Sequence, residues 1–297
     1  MKNISKEWRD ALTHLRVHFS FLLLPVYLFA LSQASEIDVF NAVTSFIILH
    51  FLIYPSSNLF NSYYDKDEGS VGGLKNPPPA NEKMLSLANW MDLTALILSF
   101  FISSAFAILA AIYILFSRLY SYEYIRLKKF PFLGFLVIFV FQGGFTFMLC
   151  KFGIVSYFDS HHLYNNHHEL GYLTFAALAT SFQIGAVYPL TQIYQHKSDL
   201  NDGVVTLSYK LGYLGTFLFS AIMFGFANWF YYLHFKEISL ESFYLIIAAQ
   251  LPVMLYFIIW FLRVLKNRRN ADYRHTMLMN ILAATCLNII FLYLVIS

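Results

Sequence analysis

Two stretches of the chain concentrate oxygen ligands. The first runs Asn58-Leu59-Phe60-Asn61-Ser62-Tyr63-Tyr64-Asp65-Lys66-Asp67-Glu68-Gly69, directly after an apolar segment. Continued as a helix, it puts Asn58, Asn61 and Asp65 at i, i+3 and i+7, on one face, with Asp67 and Glu68 near its end. Clustered carboxylates repel one another unless a cation sits among them. Carboxylate and amide oxygens suit Mg²⁺, a hard ion that usually shares its shell with phosphate. The plainer alternative is a solvated helix end with a capping asparagine. The second stretch is Tyr188-Pro189-Leu190-Thr191-Gln192-Ile193-Tyr194-Gln195-His196-Lys197-Ser198-Asp199-Leu200-Asn201-Asp202-Gly203. Here Gln195, Asp199 and Asp202 fall at i, i+4 and i+7, again one polar face at a helix end. The recurrence points to two facing carboxylate sets, able to hold two divalent ions with a diphosphate between them. Two independent acidic loops are the competing explanation.

Other polar groups are weighed in the same way. In Tyr120-Ser121-Tyr122-Glu123-Tyr124-Ile125-Arg126-Leu127-Lys128-Lys129, Arg126 and Lys128 can clamp diphosphate oxygens or simply anchor a loop with interfacial tyrosines. Gln142 with Gly143-Gly144 places a polar group and a close backbone approach inside an apolar run. That suits substrate contact or small-residue helix packing, of which packing is the stronger expectation. His50 sits within a span, where polar residues are often functional, yet an interhelical hydrogen bond would account for it equally well. His161, His162, His167 and His168 are expected in an outer loop, solvated. Aromatics make up 19% of the chain, enough both to pack a bundle and to line a tunnel whose ring faces stabilise a carbocation.

The elements that position these groups are apolar runs. A span needs roughly 20 apolar residues, and nine segments qualify: 17–34, 39–57, 85–103, 104–118, 132–150, 170–190, 211–234, 242–263 and 276–296. The third and fourth abut at Ser103-Ser104. With nine spans and the N-terminus inside, 18 of the 20 Lys+Arg fall on the inner side, and only Lys151 and Lys236 fall outside. Fusing the third and fourth would scatter the basic loops to both faces, against the positive-inside rule. Both acidic stretches and the basic loop are then cytoplasmic. Backbone groups cannot be left unbonded in hydrocarbon, so the spans are helices. The expected fold is an all-α integral membrane protein: one domain over 1–297, nine transmembrane helices, and two pseudo-repeated Asp-rich cytoplasmic loops.

Composition agrees. The chain is 58% hydrophobic and 12% charged, with mean hydropathy +0.57, whereas soluble domains carry about 25% charged residues. This excludes an ordinary soluble domain, and no nucleic-acid partner is expected. Cys150 and Cys286 stand far apart in apolar stretches and read as buried free thiols. The basic start (Lys2, Lys6, Arg9, Arg16) runs into Phe19–Leu31 with no small-x-small cleavage site, so the first apolar stretch reads as a retained span.

The pattern resembles the UbiA-type intramembrane prenyltransferase superfamily over nearly the whole chain. Asn61-Ser62-Tyr63-Tyr64-Asp65 looks like the family's first motif, N-D-x-x-D-x-x-x-D. Tyr120-Ser121 with Arg126-Leu127-Lys128 looks like its basic loop. Asp199 to Asp202, then Gly203-Val204-Val205-Thr206-Leu207 and Leu211-Gly212, looks like its second motif and tail. Ser62 departs from the usual Asp, Gly69 stands where the last Asp would be, and the second motif is D-x-x-D. The resemblance implies a prenyl diphosphate held through Mg²⁺, with Asn61, Asp65, Asp67, Asp199 and Asp202 as metal ligands. Asp65, Asp199 and Lys128 would carry catalysis. Asn58, Asn61, Arg126, Lys128, Tyr194, Lys197 and Gln142 would contact the substrate. An aromatic or quinone-precursor acceptor would capture the allylic cation, and the lipid tail would lie in a tunnel open to the bilayer. A terpene cyclase using the same ionisation is the second reading. A transporter is the third, disfavoured because transport sites lie near the midplane at broken helices, not at one face.

Overall fold

The apolar runs form helices in a computed structural model, which describes residues 5–66, 69–155 and 167–297, with backbone alone at 167–170 and 197. In chain order these are α1 (Lys6–His14), a 3₁₀ turn (Val17–Leu22), α2 (Leu24–Ser32), α3 (Val39–Asp65), α4 (Glu82–Ser99), α5 (Ser104–Ser121), α6 (Pro131–Ile154), α7 (His167–Gln192), α8 (His196–Asn201), α9 (Leu207–Phe235), α10 (Leu240–Lys266) and α11 (Tyr273–Ile296). Among the described residues there is no strand, only an isolated bridge between Val71 and Leu74.

Seven helices are long and apolar enough to span a membrane: α3, α5, α6, α7, α9, α10 and α11. The first apolar run is broken. Lys6–Leu22 and Leu24–Ser32 meet at 43° and make an eighth span only if taken together. Pro25 lies in the first turn of α2, where its missing N–H costs nothing, so the helix starts afresh there. The third expected segment, 85–103, forms the helix α4, which carries Glu82, Lys83 and Asp92 and is not among the seven. The boundary at Ser103 is real. Ser103 is extended, and its Oγ accepts from the Phe106 N–H at 3.0 Å, capping α5. Asp38, Thr206, Ser239 and Asp272 cap α3, α9, α10 and α11 in the same way. The chain is a multi-pass membrane protein: apolar windows of α9 and α10 are only 22% buried within the fold, and their exposed Leu, Ile and Trp side chains suit lipid.

Two helices carry a wide, π-helical turn. In α3 a π-helical turn, Ile48–Ile53, precedes Pro55, which cannot donate to the helix ladder. The 27 residues of α3 extend about 40 Å at 1.5 Å each. That exceeds a hydrocarbon core of about 30 Å, so the helix is longer than a span requires. In α6 a second π-helical turn, Phe139–Gly144, contains Gly143 with non-helical angles. A Cβ on Gly143 would lie 2.4 Å from Ser181 Cα, and Gly144 N–H donates to Ser181 Oγ at 2.8 Å. These glycines therefore do pack α6 onto α7, while Gln142 faces a cavity. Around that cavity α7 packs on α9, and α11 on α2 and α10. The core gathers aromatic rings, Phe29 stacking on Phe291 at 4.8 Å and meeting Phe147 at 5.2 Å. Cys150 is buried and Cys286 half-buried, both free.

Candidate active site

The last turn of α3 ends at Lys66, in the left-handed region, which terminates the helix immediately after Asp65. The basic loop turns back over it. Lys128 Nζ donates to Asp65 Oδ1 and, at 3.1 Å, to Asn61 Oδ1. Ser121 Oγ also donates to Asn61 Oδ1, at 2.7 Å. Arg126 is shared between the two acidic stretches: Nη2 lies 3.3 Å from Asp65 Oδ1, and Nη1 donates to the Asp202 backbone carbonyl at 3.5 Å. A second tie runs from Gln195 Nε2 to the Ser70 carbonyl at 3.2 Å. The phenols of Tyr120 and Tyr188 are hydrogen-bonded to each other, within Coulomb range of both Asp65 and Asp199. The two acidic stretches thus meet at one end of the bundle.

The second stretch differs locally from a simple continuation of its span. The chain turns at Ile193–Gln195, and Asp199 rides on the separate short helix α8. Asp199 is half-buried, whereas the Asp202 side chain is exposed, its backbone tied through the carbonyl to Arg126 and through the N–H to Ser198. His196 anchors α8. Its Nε2 lies 2.8 Å from Ser208 Oγ, its ring stacks on Tyr213, and burial pulls its pKa down to about 4. Asp67 lies outside the described residues, as does the side chain of Lys197. His161 and His162 also lie outside them, as do the side chains of His167 and His168. Among the described residues no three His, Cys, Asp or Glu side chains converge as a metal cage. The donor set nonetheless fits a hard cation: Asn61 and Asp65 already hold an ammonium between their oxygens.

Below Asn61 opens a cavity of about 310 Å³. Asn58, Asn61, Ser121, Thr191, Tyr194 and Gln195 surround its polar mouth; Val26, Phe29, Tyr231, Leu287 and Phe291 form its apolar floor. Along α11 its wall runs from Met277 to Phe291, about 21 Å of helix. Arg16, left-handed and buried, stands at the mouth and donates to the carbonyls of Gly72 (3.0 Å) and Asn58 (3.2 Å). Asn58 Nδ2 donates to the Leu15 carbonyl. His14 and His18 reach the carbonyls of Pro78 and Gly73, so the N-terminal segment holds the glycine-proline loop over the mouth. The non-glycine residues with positive φ, Arg16, Lys66 and Arg126, all border this site, where backbone strain commonly concentrates.

Several groups here escaped the sequence reading. Asp92 of α4 and Arg118 of α5 form an ion pair, Arg118 Nε donating to Asp92 Oδ2 at 2.9 Å. Ser56 Oγ donates to Asp92 Oδ1 at 2.6 Å, and the guanidinium lies 4.1 Å from the Phe60 ring centre. Ser56 and Phe60 belong to α3, so the pair clasps the helix that carries Asn61 and Asp65. The signal was opposite charges within adjacent apolar segments. His50 does not line the cavity. It is buried against Phe46, Tyr27 and Tyr54, and its Nε2 has no partner.

Comparison with known proteins matches residues 22–282 to the model of the UbiA prenyltransferase family. No curated protein matches. A digeranylgeranylglyceryl phosphate synthase structure is similar in fold, with TM-score 0.63 and 17% identity over 98% of this chain and 99% of that one. A UbiA homologue from Archaeoglobus fulgidus bound to GPP and Mg²⁺ is similar with TM-score 0.65 and 13% identity, over 97% and 100%. The same homologue bound to DMAPP and Mg²⁺ gives 0.65 and 14%, over 97% and 99%. The chain belongs to the UbiA prenyltransferase family.

Proposed function

We propose that this chain transfers a prenyl group from a prenyl diphosphate to an aromatic or quinone-precursor acceptor inside the membrane, with Mg²⁺, as one domain whose mouth faces the cytoplasm. The observation that carries the reading is the Lys128 ammonium seated between Asn61 and Asp65, with Arg126 reaching across to the second acidic stretch. A phosphate brought to this place finds two cations, Lys128 and Arg126, ready to exchange a carboxylate partner for phosphate oxygens. Asn61, Asp65 and Asp199 would then hold Mg²⁺, with Asp67 and Asp202 as further candidates. When bound, the ion supplies charge neutralisation to a departing diphosphate. A UbiA homologue of similar fold is bound to GPP or DMAPP with Mg²⁺, which supports a prenyl diphosphate and Mg²⁺ as the ligands.

The cavity accounts for the remaining part of the substrate. With the diphosphate at the mouth, the prenyl chain lies among Val26, Phe29, Leu287 and Phe291. Tyr113, Tyr120 and Phe141 line the cavity, and aromatic rings favour positive charge on an allylic carbon. Tyr194, Lys197 and Gln142 remain candidate substrate contacts.

The test is turnover. Purified protein in lipid nanodiscs is given labelled geranyl diphosphate, Mg²⁺ and a panel of phenolic acceptors. Acceptor-dependent release of diphosphate with a prenylated phenol is expected, and Asp65→Ala and Asp199→Ala are expected to abolish it while still inserting. Release with a cyclic hydrocarbon and no need of acceptor would establish the cyclase instead. Full rates in either variant would remove that aspartate from the site.

A further inference from the structure

Two carboxamides in the cavity wall are not used by the diphosphate site. Gln183 of α7 and Asn280 of α11 both line the cavity and are 9% and 4% exposed. No hydrogen bond reaches Oε1 of Gln183 or Oδ1 of Asn280. Gln183 lies nine residues before the end of α7 at Gln192, and Asn280 seven residues after the start of α11 at Tyr273. Those intervals are about 14 Å and about 10 Å of helix. The two helix ends are neighbours, because the Tyr194 and Tyr273 rings meet at 5.4 Å. The carboxamides therefore sit at similar depth, below the mouth and above the apolar floor.

Buried polar atoms in folded proteins nearly always have a partner, and in a low-dielectric surround an unpartnered one is costly. Two on one cavity wall at one level are a pair open to a ligand. A prenyl tail has no donor to offer them. The diphosphate is held higher, where Arg126 and Lys128 are. Among the described residues the cavity wall carries one cation, Arg16, at the mouth, and no carboxylate. A carboxylate or phosphate head at the level of Gln183 would be desolvated with no counter-charge. A hydroxyl donates to one amide oxygen and accepts from an amide N–H in turn, so it satisfies a carboxamide in either amide orientation.

We propose that Gln183 and Asn280 form the subsite that takes a neutral hydroxyl of the acceptor, so that the acceptor class is a phenol or alcohol and not an acid or phosphate ester. This rests on the transferase reading, since a cyclase has no acceptor to place. Gln183 and Asn280 are specificity-determining residues for the acceptor; the diphosphate is gripped by other groups.

The test is binding, without turnover. Wild-type protein in nanodiscs is titrated with a para-alkylphenol, its methyl ether and the corresponding para-alkylbenzoate, with affinities corrected for partition into the bilayer. The phenol is expected to bind about tenfold tighter than either analogue, equivalent to about 1.4 kcal/mol. In a Gln183→Leu/Asn280→Leu double variant the preference over the ether is expected to fall to about twofold or less, the ether itself binding as before. Thermal unfolding separates this from a structural role: replacing unpartnered amides by apolar groups of similar shape should leave the melting temperature unchanged or raise it. Single Gln183→Met and Asn280→Met variants serve the same comparison if the double variant does not fold. Equal affinity of the wild type for phenol and ether overturns the proposal, as does a preference fully retained in the variants. Failure of the wild type to bind geranyl diphosphate with Mg²⁺ in the same preparation overturns the transferase reading instead.

Discussion

Replacing Lys128 with methionine should act with opposite signs on metal and on substrate. In the protein as folded, the ammonium holds Asp65 Oδ1 and lies 3.1 Å from Asn61 Oδ1. A divalent ion that takes those oxygens must first displace it. Two unit charges 4 Å apart interact by about 4 kcal/mol at an effective dielectric of about 20. The Lys128 and Asp65 side chains are each 10% exposed, so this is a ceiling reduced by residual solvent and by Arg126, which stays 3.3 Å from Asp65. About a third of it survives as competition, which is about tenfold in affinity. Lys128→Met is therefore expected to bind Mn²⁺ about tenfold tighter than wild type when no diphosphate is present. With diphosphate the sign reverses. Loss of one charge-assisted hydrogen bond, worth about 1.5–3 kcal/mol, should weaken geranyl diphosphate binding by about ten- to a hundredfold. Electron paramagnetic resonance titration of Mn²⁺ in nanodiscs reads the first effect and equilibrium binding of labelled geranyl diphosphate the second. An Mn²⁺ affinity lowered or unchanged in Lys128→Met without diphosphate would show that the ammonium does not stand in the cation's place, and the reasoning fails.

Two further outcomes are expected. Arg118→Leu and Asp92→Leu each strand a partner charge beside α3, and each should lower stability by about 3–5 kcal/mol. The double variant should recover much of that loss, and a thermal or denaturant unfolding series of all three checks it; additive losses would refute the clasp. His196 has a native pKa of about 4 against about 6.5 unfolded. Because its native pKa is depressed, its contribution is complete above the unfolded value and is lost as pH falls from there toward the native one. Unfolding midpoints at about pH 8 and about pH 5 should differ less in His196→Gln than in wild type, and an equal difference would exclude His196 as the titrating group.

The sequence made the motif chemistry legible because Asn58, Asn61, Asp65 and Asp199 interrupt apolar patterns at helix ends, where polar residues are conspicuous. Lys128 and Arg126 could be placed in a basic loop, but their contact with Asn61 and Asp65 joins residues more than sixty positions apart, which no local periodicity encodes. The boundary at Ser103 was legible through charge bookkeeping on distant loops, and capping by Ser103 is its local cause. The first span was less so. Its hydropathy is continuous from Phe19 to Leu31, and only the break at Leu23, with Pro25 in the first turn of α2, divides it. Arg118 closes an apolar run, and nothing in its position tells that it turns inward to Asp92. Gln183 and Asn280 lie in ordinary apolar runs, and which wall a lone amide faces is decided by the packing of α7 and α11. The offset of Asp199 onto the separate helix α8 was hidden because the i, i+4, i+7 spacing carries no sign of the turn at Ile193–Gln195.

The most direct measurement is an anomalous-scattering map of the protein with Mn²⁺ and a poorly ionising thio-analogue of geranyl diphosphate. Mn²⁺ peaks are expected against Asp65 and Asp199, with the diphosphate between them above Asn61 and the geranyl chain running toward Phe291. Mn²⁺ or diphosphate bound away from both aspartates, or a chain lying outside the cavity, would contradict the shared grip on one diphosphate.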